Sequence, residues 1–81
     1  MLEVFADATL PSGAKILWMY IMLYGGDGAY TATHEELAAG TGLGRSSVIR
    51  CVKVLEAKEL VTVQRASGGA TSNIYFAHLP K

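Results

Sequence analysis

The 81 residues predict an α+β domain in which three helices are followed by a β-hairpin. Apolar residues recur at helical spacing in three segments divided by glycines, and a capping box opens the second segment. From Leu60 onward the pattern changes to alternating β-branched residues. A chain this short, with 51% hydrophobic residues, makes one domain spanning residues 1–81 around a single core.

The first helix begins at Leu10 and Pro11, with Thr9 as its expected cap, because proline is tolerated in a first turn where its missing N–H would have no partner. It ends at Gly25 and Gly26. Between Ala14 and Tyr24 nearly every residue is apolar, including Trp18 and Ile21, so this helix has no clear polar face and should be covered on more than one side. The segment Gly25-Gly26-Asp27-Gly28 reads as a turn, and Ala29 to Ala32 as a short extended piece.

Thr33 with Glu36 three residues later is a capping box, so a second helix runs from His34 to about Gly40. Gly40, Gly42 and Gly44 bracket a tight turn around Leu43. The third helix runs from Arg45 to about Lys58, with Val48, Cys51, Val52 and Leu55 inward and Arg45, Ser46, Ile49, Arg50, Lys53 and Val54 outward. Val61 to Arg65, the loop Ser67-Gly68-Gly69-Ala70 and Thr71 to His78 then form the hairpin.

Formal net charge is zero, which argues against a nucleic-acid partner until the distribution is considered. Residues 1–44 carry Lys15 against five carboxylates, a net of −4, whereas residues 45–81 carry six basic residues against Glu56 and Glu59, a net of +4. The apolar run Ile16 to Tyr24 is about half the roughly 20 residues that cross a bilayer, and the N-terminus does not resemble a signal peptide. A cytoplasmic protein is expected. Cys51 is the single cysteine and cannot form an internal disulfide.

Catalytic and metal motifs fail on spacing. Ser12 and Lys15 match serine-x-x-lysine without its companion motifs. Ala38 stands where a zinc-protease helix starting at His34-Glu35 needs its second histidine. Gly40, Gly42 and Gly44 are not followed by a phosphate-loop lysine, and His34, Cys51 and His78 are too scattered to make a metal site. The sequence therefore predicts no catalytic residue, metal, cofactor or small-molecule ligand.

The stretch ELAAGTGLGRSSVIRCVKVLEAKELV resembles the helix-turn-helix of winged helix-turn-helix DNA-binding domains in Ala38, Gly42, Leu43, Val48 and Leu55. Asn73-Ile74-Tyr75 is similar to the return strand of the wing, and the order of elements follows the same family. Phage and plasmid replication-protein helix-turn-helix domains and compact MarR-like or GntR-like regulators are the nearest in character. Gly44 departs from the pattern, since many members have serine or another capping side chain there.

The resemblance implies that residues 45–58 form a recognition helix for double-stranded DNA. A helix of about 10–12 Å diameter fits a major groove about 12 Å wide. Arg45 and Arg50 suit guanine O6 and N7, Ser46 and Ser47 a base edge or phosphate, Ile49 a thymine methyl, and Lys53 a phosphate. In the wing, Arg65, Ser67, Gly68 and Gly69 suit the backbone or minor groove, while Asn73 serves either DNA or the hairpin itself. The expected function is sequence-specific binding as a transcriptional regulator or as a plasmid or phage origin- or centromere-binding protein. The apolar first helix, with Val54 and Met1 to Ala6, suggests a homodimer. The alternative is a protein-interaction module within a replication or conjugation assembly, because fold alone does not decide between them.

Overall fold

A computed structural model describes residues 2–25, 29–65 and 72–79. Its elements are α1 (Leu2–Ala6), α2 (Ser12–Gly25), β1 (Ala29–Ala32), α3 (His34–Thr41), α4 (Arg45–Ala57), β2 (Val61–Gln64) and β3 (Asn73–Ala77). The three expected helices are α2, α3 and α4. The turn expected at Gly26-Asp27-Gly28 lies outside the described residues.

Two features of the N-terminus differ from the expectation. Residues 2–6, for which only an apolar contact segment was expected, form a helix, and Val4 is 2% exposed within the core. Five residues are too few to show a helical period or to hold a helix unaided. Here Val4 burial and the Lys15 Nζ, which donates to the Phe5 carbonyl at 2.6 Å, anchor it to the body.

Thr9 does not cap α2. Its backbone N–H and its hydroxyl both donate to Asp7 Oδ1, at 2.8 and 2.5 Å, which holds the Asp7 carboxyl below the usual range. The helix opens instead behind Pro11, whose carbonyl accepts from the N–H groups of Ala14 and Lys15.

α2 is the central element, packing against α3, α4, β1 and β3. Ala14, Leu17, Trp18 and Ile21 face the core, and Trp18 Nε1 donates to the His78 carbonyl at 3.0 Å, tying the helix to the end of the sheet. Cover is incomplete, however. Ile16, Leu23 and Tyr24 are 47%, 69% and 66% exposed. Ile16 and Leu23, seven residues apart, share the side opposite Leu17 and Trp18.

The sheet is antiparallel, in the order β1-β3-β2. The extended piece Ala29–Ala32 thus adds a third strand to the hairpin, pairing Tyr30 with Tyr75, while Val63 pairs with Tyr75 from the other side. Tyr75 is fully buried, and burial pushes its phenol pKa up. Asn73 Nδ2 donates to the Tyr75 hydroxyl at 3.2 Å, so Asn73 serves the hairpin.

Candidate nucleic-acid interface

The α3-turn-α4 unit is built by local chemistry. Thr33 Oγ1 accepts from the Glu36 N–H at 3.0 Å, and Glu36 Oε1 accepts from the Thr33 N–H at 2.9 Å, which completes the capping box. At the other end, Gly42 adopts φ 77°, a left-handed conformation that L side chains resist, and its N–H donates to the Ala38 carbonyl at 2.9 Å. The chain turns there. Leu43 packs on the core, and Gly44 starts α4 with its carbonyl accepting from the Val48 N–H at 2.9 Å. Gly44 contributes no side-chain cap, so the first-turn N–H groups of α4 carry the positive end of the helix without a competing side-chain acceptor from that position.

Along α4, Val48, Cys51, Val52 and Leu55 are buried, which fixes the rotation of the helix. Ser46, Arg50 and Lys53 are exposed on its outer side, and Ile49 and Ser47 are half-buried at the edges. Val54 is not an exposed contact residue. It is half-buried and packs against the core. Cys51 behaves as a small apolar residue, with burial pushing its thiol pKa up.

The basic residues divide into two groups. Among the described residues, neither Arg50 nor Lys53 forms a close ion pair, although Lys53 helps to lower the Glu56 pKa from a longer distance, and Arg50 Nη2 reaches only the Ser47 hydroxyl at 3.5 Å. Arg45 and Arg65, by contrast, are ion-paired. Arg45 Nε donates to Glu35 Oε1 at 2.7 Å, and both terminal nitrogens of Arg65 donate to Glu56, at 3.0 and 2.8 Å. A hydrogen bond from its own backbone N–H, then one from Arg45, hold the Glu35 carboxyl below its ordinary pKa; the Arg65 guanidinium does the same for Glu56. Arg65 is pushed up in turn by Glu56. Neither partner was predicted, since the residues lie ten and nine positions apart on different elements, where periodicity carries no information. Of the other predicted wing residues, Ser67, Gly68 and Gly69 lie outside the described residues.

Two concavities adjoin these elements. A groove of about 400 Å³ beside Arg50 is bounded by Pro11, Gly13, Leu43, Ser47, Cys51 and Val54. A side chain at Gly13 would bring its Cβ to 3.2 Å from Cys51 Sγ, so glycine there lets the start of α2 lie close against α4. The second, of about 810 Å³, opens between Val4, Asp7, Lys58, Leu60 and His78. It is open and bears charges of both signs, including the Lys58–Asp7 pair at 3.8 Å. No buried side-chain polar atom among the described residues lacks a hydrogen-bond partner.

Among the described residues no three His, Cys, Asp or Glu side chains gather to hold a metal ion, and no helix is long and apolar enough to cross a membrane. No curated protein and no solved structure matches the chain. Residues 8–61 match the family described as Helix-turn-helix domain, a span running from before α2 to the first residue of β2. With capped α3, left-handed Gly42, inward-packed α4 and the antiparallel sheet around that span, the protein is an α+β winged helix and belongs to the helix-turn-helix domain family.

Proposed function

We propose that this protein binds double-stranded DNA sequence-specifically, with α4 in the major groove, as a transcriptional regulator or as a plasmid or phage origin- or centromere-binding factor. The observation that carries the reading is the outer side of α4, where Ser46, Arg50 and Lys53 stand exposed beside Ile49, and where neither cation is held in a close ion pair among the described residues. Guanidinium, hydroxyl and aliphatic groups on one helix side match the donor, acceptor and methyl pattern of a major groove. Family membership supports DNA as the partner. The resemblance to replication-protein and compact regulator domains supports the narrower role. The wing approaches the backbone or minor groove through Ser67, Gly68 and Gly69 of its loop, and the mechanism is occupancy of a site.

The protein acts as a homodimer through α2, whose Ile16 and Leu23 offer an apolar side that the rest of the chain leaves exposed. The same exposure favours the second reading, a protein-interaction module. Salt separates them. A mobility shift on duplexes selected from a random pool should weaken steeply between about 50 and 200 mM salt if phosphates are engaged. Retention of no duplex at either concentration would overturn the DNA-binding reading and leave the apolar contact as the functional one.

A further inference from the structure

The two ion-paired arginines of the interface differ in which nitrogens they use. Arg45 donates to Glu35 through Nε alone. Arg65 commits Nη1 to Glu56 Oε2 and Nη2 to Glu56 Oε1. A guanidinium carries its five N–H donors in a rigid fork, and guanine O6 and N7 take two neighbouring ones. Arg45 therefore keeps both terminal nitrogens for a base while its side chain is braced from α3. Arg65 has its terminal pair occupied, by a carboxylate that is the less exposed of the two, at 28% against 64% for Glu35, and so less screened by water.

We infer that these two carboxylates assign the arginines opposite roles: Glu35 is a positioning residue that presents Arg45 to a guanine, and Glu56 holds Arg65 away from the DNA. This rests on the DNA-binding reading above. The two halves predict effects of opposite sign for the same chemical change. Removing any negative charge near DNA should tighten binding by lessening repulsion of phosphates. Glu56→Gln should follow that direction and exceed it, because it also releases a cation. Glu35→Gln should go against it, because the released Arg45 side chain must be ordered again on binding.

Affinity for a selected duplex and for a scrambled one should be measured for the wild type, Glu35→Gln, Glu56→Gln, Arg65→Ala and Glu56→Gln with Arg65→Ala. Glu59→Gln serves as a charge control, and thermal melting confirms that each variant is folded. Glu35→Gln is expected to lower the ratio of selected to scrambled affinity by about three- to ten-fold, part of the worth of a bidentate base contact. Glu56→Gln is expected to raise affinity for both duplexes by about two- to five-fold, the scale of an exposed ion pair, and the gain should vanish when Arg65 is also alanine. Arg65→Ala alone should change little. An unchanged ratio in Glu35→Gln, or a gain in Glu56→Gln that matches Glu59→Gln or survives loss of Arg65, would overturn the inference while leaving DNA binding intact. A wild type that binds neither duplex would overturn both.

Discussion

Arg50 and Lys53 carry different parts of the proposed interface, and substitution separates them. Arg50→Ala should weaken binding to a selected site by about 1–3 kcal/mol and relax preference at one base pair, as a lost bidentate contact does. Lys53→Ala should weaken selected and scrambled sites alike and lower the salt slope by about one. Competition binding across single-base variants of the site reads both effects, and equal affinity of Arg50→Ala and wild type would remove Arg50 from the interface. A second residue-level effect concerns Tyr30, whose hydroxyl lies 3.1 Å from that of Tyr20. That hydrogen bond, followed by burial, pushes the Tyr30 pKa from 10.0 up to about 12. A raised pKa favours the neutral phenol in the folded chain, so its contribution to stability is intact below pH 10.0 and is lost as the pH rises toward about 12. Tyr20→Phe removes the leading cause and should lower the Tyr30 midpoint in an ultraviolet titration of tyrosinate. The positions of Arg50 and Lys53 were legible in the sequence because four inward residues fix the rotation of α4. The partners of Arg45 and Arg65 were not, because they depend on how α3 and β2 are set against that helix.

The elements were readable where local chemistry decides them. Thr33 and Glu36 announce α3, and Gly42 ends it, by interactions confined to a few neighbouring residues. Residues 2–6 were not readable as a helix, since tertiary contacts of Val4 and Lys15 hold it rather than any repeat. Thr9 misled because Asp7 competes for its hydroxyl. The end of α4 holds a conflict that yields a prediction. Leu60 N–H donates to the Leu55 carbonyl at 2.9 Å and Glu59 N–H to the Glu56 carbonyl at 3.0 Å, the paired bonds of a Schellman motif. Its left-handed position, φ 59°, is filled by Glu59 instead of glycine. Left-handed backbone costs an L residue about 1–2 kcal/mol, while glycine loses about 0.4–1 kcal/mol more entropy on folding. The strain is the larger, so Glu59→Gly should raise stability by about 0.5–1 kcal/mol in urea unfolding. A loss of stability would show that the Glu59 side chain has a structural role.

At the scale of the molecule, one fold presents two dissimilar surfaces, a polar and basic outer side of α4 and an apolar side of α2. The amino acids of α2 made the second foreseeable, since a small domain cannot bury the whole circumference of such a helix. They did not indicate which residues remain outside, because that depends on where α3, α4 and β3 pack. Sedimentation equilibrium at micromolar concentration without DNA should give a dimer, and Leu23→Glu should give a folded monomer. A monomeric wild type would assign the α2 surface to a different protein. The basic half of the chain was legible as a charge asymmetry, yet its useful cations are fewer than its formal count, since Glu56 occupies both terminal nitrogens of Arg65. Placement of α4 in the major groove is tested most directly by amide chemical shifts of labelled protein titrated with a duplex selected from a random pool. The account predicts the largest changes at Ser46, Ile49, Arg50 and Lys53, diminishing as salt is raised. Failure to select any duplex, or changes that leave these four residues still and move Ile16 and Leu23 instead, would contradict it.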